Sequence, residues 1–288
     1  MRDGFLTGGI LSLGVLLAVL AAAFLHALWN ALIKLGTSKA GGMVILSIAE
    51  VPIGLSVALF RPFPEAHVWW WLLASGCTHF CYKSFLVFAY ERGDLSRVYP
   101  IARGAAPMVV ALVGAFTLPD AISLGEYLGV AVLGFGILLM ARGVFTRGED
   151  RRLLPFALGS ACATATYTMI DGLGARVSGD AVAYVAWVFV VDGLIFTTGM
   201  LLWKGLDIVP RSAKAWGVAS FASAASYGAY AVSVWAMTVA PLAVVAALRE
   251  TSILFAVLIG WLAFGEKMGV DKAVAAVVIV AGVVLTRL

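Results

Sequence analysis

Two arginines, Arg103 and Arg249, lie deep inside long apolar runs of the sequence. A charged side chain at the centre of a bilayer costs about 2.5 to 3.5 kcal/mol even on the most lenient insertion scale. A guanidinium can hold a carboxylate, phosphate or phosphonate through two parallel hydrogen bonds. We therefore predict that both arginines, helped by Lys83, bind an anionic group of a small molecule. The structural alternative pairs Arg103 with Glu50 and Arg249 with Asp192.

Polar side chains recur every three or four positions along four apolar runs, which places each set on one face of a helix. Polar groups without partners in hydrocarbon are costly, so these faces should meet protein or an aqueous cavity. We favour a cavity, and hydrogen bonds between helices are the alternative for any single hydroxyl. Together with Arg103 and Arg249, the candidate binding residues are His26, Trp29, Asn30, His79, Tyr82, Lys83, Tyr167, Asp171 and Tyr227.

Three further acidic residues, Glu50, Asp192 and Glu250, lie within or at the edges of apolar runs. A carboxyl group withdrawn from water titrates closer to neutral pH than a free one, so it can carry a proton. These three are the candidates for proton coupling. The alternative is that each simply neutralises a neighbouring arginine.

Prolines and a glycine surround the two arginines. Pro100, Gly104 and Pro107 flank Arg103, and Pro241 opens the run that contains Arg249. Proline removes a backbone hydrogen bond and bends a helix, so we expect these helices to be irregular and to act in gating.

Composition makes the chain a membrane protein. Hydrophobic residues make up 62% of its 288 residues, charged residues only 12%, and the mean hydropathy is +1.00. Such a chain has too few charges for a water-soluble surface. Apolar runs of membrane-spanning length predict ten helices, at 10–33, 42–60, 68–90, 95–117, 122–141, 153–173, 181–203, 213–237, 240–264 and 270–287.

The ten predicted helices divide into two halves of five. The longest hydrophilic stretch, "RGVFTRGEDRR", falls between the fifth and sixth helices, which predicts units at 1–142 and 153–288 and a linker at 143–152. An odd number of helices per half makes the second copy enter the membrane from the opposite side, as in inverted-repeat transporters. A shift of 146 residues aligns Arg103 with Arg249, Asp120 with Glu266 and Gly136 with Gly282; a shift of about 141 aligns Asn30 with Asp171 and brings Glu50 within one residue of Asp192.

Several classes of site have no motif in the sequence. There is no metal-binding spacing of His or Cys, no P-loop and no dinucleotide-binding loop, so we expect no metal and no cofactor. Nucleic-acid binding is not expected either, because basic residues in membrane proteins mostly mark cytoplasmic loops. The three cysteines, Cys77, Cys81 and Cys162, lie in apolar runs, and we expect inert core residues.

Three segments, "HALWNALIK", "GDLSRVYPIARG" and "VAPLAVVAALRETSILFAVLIGWLAFGEK", resemble the EamA-like family of the drug/metabolite transporter superfamily. The resemblance covers essentially the whole chain and implies two five-helix repeats in the inner membrane of a bacterium. It also implies transport, more usually export, of substrates that range over amino acids, drugs, sugars and nucleotide sugars. The "YPIARG" form is similar to a subgroup associated with phosphonate use, which suits an anionic cargo.

These observations favour a secondary transporter that moves a small polar metabolite, anionic or zwitterionic, by alternating access. Without a nucleotide-binding domain, any energy source must be a gradient. A flippase for a lipid-linked head group is the alternative on the same fold. An intramembrane enzyme with His26 or His79 as base is disfavoured, since no loop is large enough to build a second substrate site. Whether two copies form a homodimer is left open.

The loop charges predict an orientation. Four basic residues, Arg2, Arg61, Arg176 and Arg287, lie on the side of the chain termini, and thirteen lie on the other. The positive-inside rule therefore places both termini outside the cytoplasm, although the family is usually described with both termini inside. The thirteen are Lys34, Lys39, Arg92, Arg97, Arg142, Arg147, Arg151, Arg152, Lys204, Arg211, Lys214, Lys267 and Lys272.

Overall fold

A computed structural model describes residues 12–34, 38–92, 95–118, 120, 122–146, 154–264 and 269–287. Within these ranges the side chains of residues 34, 39, 89–92, 95–105, 140–146 and 263–264 are not described. Over the described part of the chain the structure is all helical, with one short 3-10 helix at Leu206–Ile208 and no β-strand. The predicted all-helical class is confirmed.

The α-helices follow the predicted spans closely. Their bounds are α1 Leu13–Lys34, α2 Lys39–Ala58, α3 Val68–Arg92, α4 Leu95–Thr117, α5 Leu124–Thr146, α6 Leu154–Ser178, α7 Ala181–Lys204, α8 Ala213–Val239, α9 Leu242–Arg249, α10 Ser252–Phe264 and α11 Val270–Leu285.

The ninth predicted span, 240–264, contains two helices. Helix α9 ends at Arg249, and α10 begins at Ser252 after a turn in which the Glu250 N–H bonds to the carbonyl oxygens of the last helical turn. The break agrees with the irregularity expected for the span that contains Arg249, although it follows Arg249 and not Pro241. By contrast, α4 runs without a break through Pro100 and Pro107. Helix α5 continues to Thr146, into the predicted linker.

The surface of the bundle is apolar. Four helical stretches in the described chain are long and apolar enough to cross a membrane: Leu13–Ile33, Ala40–Ala58, Ala181–Lys204 and Leu242–Leu262. Large apolar side chains such as Leu17, Phe116, Phe135 and Trp235 are exposed on the outer faces. Such patches are unfavourable in water and favourable against lipid, so the chain is a multi-pass membrane protein.

The two halves of the chain pack on each other in matching ways. Helix α1 packs on α8, and α6, which begins the second half, packs on α3, the third helix of the first half. Helix α4 packs on α6, and α1 packs on α9 and α10. The remaining large interfaces join α2 to α7 and α5 to α11.

Glycines make the close approach of α5 and α11 possible. A Cβ atom at Gly136 would lie 2.9 Å from the backbone nitrogen of Ile279, and one at Gly282 would lie 2.5 Å from that of Leu133. A shift of 146 residues turns the first contact into the second. These two contacts also show that the helices are antiparallel, because the later residue of α5 meets the earlier residue of α11.

The α2–α7 interface is built in the same way. A Cβ atom at Gly54 would lie 2.5 Å from the carbonyl oxygen of Ala186, and one at Gly193 would lie 2.6 Å from that of Ser47. These two helices are therefore also antiparallel and in backbone contact. Their close packing holds Glu50 and Asp192, which lie between the glycine contacts in sequence, near each other in the bundle.

The three cysteines are exposed, not in the core. Cys77 and Cys81 are one turn apart on an outer face of α3, and Cys162 lies on an outer face of α6. The expectation of buried cysteines is wrong because a small, weakly polar thiol is also tolerated on an apolar surface.

Candidate functional site

A small cavity, partly open to the outside, lies between the two halves. Helices α1, α2, α3, α6, α7, α8 and α9 line it. Most of its lining residues are aromatic or ionisable, although the surrounding helices are apolar. The lining therefore offers hydrogen bonds, charges and aromatic faces to a small polar molecule.

The cavity is central in the bundle. We call the end where α1 begins and α11 ends the terminal end. Most lining residues of α1 and α2 lie nearer the opposite end of their helices, whereas most of those of α7 and α8 lie nearer the terminal end.

An ion pair joins several elements at the terminal end. Arg176 Nη1 and Nη2 donate to the two Asp120 carboxylate oxygens at 2.7 and 3.1 Å. Arg176 also donates to the carbonyl oxygens of Met237 and Ala240, while Asp120 accepts the backbone N–H of Leu242 at 2.8 Å. The end of α8 and the start of α9 are thereby fixed to α6 and to the α4–α5 connection. Sequence reasoning counted Arg176 only as a loop charge.

Inside the cavity, Lys83 lies between two carboxylates. Its Nζ is 2.8 Å from Glu50 Oε2 and 2.8 Å from Asp192 Oδ2, and it also donates to Ser47 Oγ at 2.8 Å. Among the described side chains, Lys83 and not Arg249 is therefore the basic partner of these acids, and the pairing of Glu50 with Arg103 lies outside the described residues. Lys83 can reach both because α3 packs against α2 and α7 where they come closest.

Asp171 is fully buried beside the cavity. Its two carboxylate oxygens accept hydrogen bonds from the Tyr184 hydroxyl at 3.0 Å and from the Tyr230 hydroxyl. His79 Nδ1 is 3.9 Å away. Asp171 itself does not line the cavity, whereas Tyr230 and His79 do. It therefore holds cavity side chains in place.

The His79 ring is held in one orientation. Its Nδ1 is 3.1 Å from the carbonyl oxygen of Ser75 and 3.2 Å from the Ser75 hydroxyl oxygen. The ring stacks on Tyr167, with centroids 4.0 Å apart.

Arg249 lies at the break between α9 and α10 and lines the cavity. Its Nη2 donates to the Tyr167 hydroxyl at 3.2 Å, and its Nε is 4.0 Å from Glu250 Oε1. Neighbours on a regular helix point about 100° apart, so this approach depends on the end of α9. The guanidinium also lies 5.7 Å from the centre of the Tyr230 ring.

Three polar residues of α1 bond to one another. Trp29 Nε1 donates to His26 Nδ1 at 3.2 Å, and Asn30 Nδ2 donates to the His26 carbonyl oxygen at 2.8 Å. His26 and Trp29 line the cavity, and Asn30 does not. The amide of Asn30 is used by its own helix, as expected for a polar side chain within a helix.

The structure brings together most of the predicted residues. The cavity lining includes His26, Trp29, His79, Tyr82, Lys83, Tyr167 and Arg249, with Glu50 and Asp192. Asn30, Asp171, Tyr227 and Glu250 lie outside the lining, and Tyr227 instead packs edge-on against Phe189. Pro107 is buried, and Pro241 directly precedes α9. The side chains of Arg103, Pro100 and Gly104 lie outside the described residues.

Sequence reasoning missed several lining residues. Tyr230 is a lining residue that was not predicted, although it lies three residues after the predicted Tyr227 on the same helix. Met43, Leu46 and Phe189 are apolar, so a search for polar side chains could not find them. Only the position of Glu50 and Asp192 deep within α2 and α7 indicated that these two helices line the cavity. Among the residues the structure describes, no group of three or more His, Cys, Asp or Glu could hold a metal ion.

Comparisons with known proteins agree with this architecture. No curated protein sequence matches the chain. Solved structures do match, and one crystal structure of a protein superimposes with a TM-score of 0.76 and 16% sequence identity, over 96% of this chain and 98% of that chain. At this identity the likeness shows a shared fold alone.

A family comparison covers the second half of the chain. Residues 152–288 match the EamA-like transporter family. This range corresponds closely to the second five-helix unit predicted from the sequence. The chain therefore carries an EamA-like transporter domain at residues 152–288, which confirms the family resemblance for that part of the sequence.

Proposed function

We propose that the protein is a secondary transporter that moves a small zwitterionic or anionic metabolite across the bacterial inner membrane by alternating access. The observation that carries this proposal is the cavity between the two halves, because it places both signs of charge inside an apolar bundle. Arg249 offers a guanidinium to a carboxylate, phosphate or phosphonate. Glu50 and Asp192 offer carboxylates to an ammonium group.

The aromatic lining supports the same assignment. Tyr82, Tyr167 and Tyr230 contribute hydroxyls and ring faces, and Trp29 contributes a further ring. Aromatic faces attract cations and cover apolar parts of a ligand, while hydroxyls accept or donate hydrogen bonds. A cargo with an ammonium group, an anionic group and a short apolar body would use every part of this lining.

We propose that residues 1–142 and 153–288 are two inverted repeats, joined near 143–152. Their matching interfaces support this division. Gly136 and Gly282 are equivalent under the sequence repeat, and each meets the backbone of the other's helix. The first helix of each half packs on the third helix of the other half. In inverted-repeat transporters the substrate binds where the repeats meet, near the bilayer midplane.

Alternating access is supported by the position of the cavity at the centre of the bundle, between the two halves. At the terminal end, Asp120 and Arg176 hold the α8–α9 junction. This junction must separate when the cavity opens at that end. The family habit favours export as the direction.

Uptake into proteoliposomes from a panel of labelled metabolites tests the function. The panel should contain zwitterions, anions, cations and neutral sugars, and protein-free liposomes are the control. We expect protein-dependent uptake of at least one zwitterion or anion and no uptake of neutral sugars. Uptake restricted to cations or to neutral sugars would contradict the proposed cargo class.

A further inference from the structure

Two carboxylates from opposite halves of the chain share one ammonium group. Lys83 uses its three N–H donors on Glu50 Oε2, Asp192 Oδ2 and Ser47 Oγ, each at 2.8 Å. The side chains of Glu50, Lys83 and Asp192 are each no more than 5% exposed. We call these three residues the Lys83 triad.

The Lys83 triad has one negative charge too many. Among the residues the structure describes, Lys83 is the cation that contacts Glu50 and Asp192, and Asp192 Oδ1 is buried without a hydrogen-bond partner. The ring of Phe196 lies 5.1 Å from Lys83 Nζ, so part of the surroundings is apolar. An unpaired charge is strongly unfavourable in such a place, and a buried carboxyl group usually takes a proton instead.

The other titratable and charged groups nearby have their own partners. Arg249 interacts with Tyr167 and Glu250, and Asp171 is held by Tyr184 and Tyr230. The groups that face the cavity or border it are His26 on α1, His79 and Tyr82 on α3, Tyr167 and Asp171 on α6, Tyr184 on α7, Tyr230 on α8, and Arg249 with Glu250 at the end of α9.

We propose that Glu50 and Asp192 hold one exchangeable proton between them, on the oxygens that Lys83 does not contact, and that this proton couples transport to a proton gradient. The coupling part of this inference rests on the proposed function. The proton comes from water on one side of the membrane and returns to water on the other, with no change in oxidation state. An ammonium group of the cargo could replace it, because either cation balances the charge of the triad.

Alternating occupancy gives a mechanism for exchange. When the cavity contains neither cargo nor proton, the triad carries an uncompensated negative charge. This charge disfavours the closed state through which the protein passes between its two open states. With the cargo's ammonium or with a proton in place, the charge is balanced and the two halves can change state. Cargo and proton then move in opposite directions.

Infrared difference spectroscopy of the purified protein in lipid tests the proton site, with the proton itself as the probe. Spectra at alkaline and mildly acidic pH should show one buried carboxyl group that takes up a proton above the range of the surface carboxyls. Glu50→Gln and Asp192→Asn should each abolish this signal, because a single carboxylate is balanced by Lys83. Lys83→Met should instead increase the protonated signal at alkaline pH, since both carboxylates then lack their cation.

Two substitutions serve as matched controls. Glu250→Gln removes another buried carboxylate, and Asp207→Asn removes one whose side chain is 98% exposed. Both variants should retain the signal. A buried carboxyl signal that survives in both Glu50→Gln and Asp192→Asn would overturn the proposal, and so would its absence from the wild type. Thermal melting verifies that each variant is folded before its spectrum is compared.

A transport experiment separates this inference from the proposed function. With a cargo found in the metabolite panel, a pH gradient should drive accumulation by the wild type, whereas accumulation by Asp192→Asn and by Glu50→Gln should be the same with and without the gradient. If pH-driven accumulation persists in Asp192→Asn and in Glu50→Gln, the coupling role is wrong. If no metabolite is transported by the wild type, the proposed function fails, whereas the infrared result still decides the proton site.

Discussion

At the scale of single residues, Arg249 is the described cation best placed to hold an anionic cargo. Lysine keeps the charge but loses the planar pair of donors, so Arg249→Lys should weaken the apparent cargo affinity about tenfold, as expected for a charge-assisted hydrogen bond of roughly 1 to 3 kcal/mol. Concentration-dependent uptake measures this. Lys214→Arg, at an exposed residue, is the control and should leave the affinity unchanged. An Arg249→Leu protein that is folded and has wild-type affinity would exclude a binding role.

Asp171 has a structural role at the same scale. It accepts hydrogen bonds from two tyrosines, and asparagine accepts only through one oxygen, so Asp171→Asn should leave one hydroxyl poorly bonded. We expect a loss of about 1 to 3 kcal/mol in stability, seen as a lower melting temperature. The exposed Asp207→Asn variant provides the comparison. An unchanged melting temperature in Asp171→Asn would show that the tyrosine contacts add little to stability.

At the scale of elements, the α5–α11 interface should be destabilised when a glycine at the contact is replaced by alanine. A Cβ at Gly282 would lie 2.5 Å from the backbone nitrogen of Leu133, so Gly282→Ala must separate the two helices. We expect a lower melting temperature, by roughly 1 to 3 kcal/mol of stability. Gly217 in α8 has no atom within 4 Å of its added Cβ, and Gly217→Ala should be neutral or slightly stabilising. Equal melting temperatures for both variants would contradict the close approach.

The elements also show what sequence patterns can and cannot predict. Hydrophobic runs located every described α-helix, because a bilayer demands apolar segments of a set length. They did not locate the break after Arg249, since the stretch from Leu242 to Leu262 is apolar except at Arg249, Glu250, Thr251 and Ser252. Arg249 contacts Tyr167, which is distant in sequence, and such a contact gives no periodic pattern.

At the scale of the whole molecule, the loop charges predict that both termini lie outside the cytoplasm. Thirteen basic residues on one side against four on the other is a large bias for short loops. A C-terminal reporter that is active only in the cytoplasm should therefore stay inactive, while the same reporter inserted after Arg211 should be active. The reverse pattern would invert the orientation.

Much of the candidate site could also be predicted from the sequence, because ionisable residues are costly in lipid and must face protein or water. This argument found Lys83, Arg249, Glu50 and Asp192. It did not reveal which charges pair, since the choice of Lys83 as common partner depends on how α3 lies against α2 and α7. It also missed apolar lining residues such as Phe189, whose type is the same in a cavity wall as in a core.

The central claim is that the cargo binds in the cavity between the two halves, and protection of a single cysteine there tests it most directly. Ser226 lines the cavity, so Ser226→Cys is introduced after Cys77, Cys81 and Cys162 are replaced by serine. Labelling by a charged thiol reagent is followed with and without a transported metabolite. An Arg211→Cys protein, altered at a side chain that is 94% exposed, is the control. We predict that the metabolite slows labelling of the Ser226→Cys protein and leaves the control unchanged; identical labelling rates of the Ser226→Cys protein with and without saturating metabolite would contradict the account.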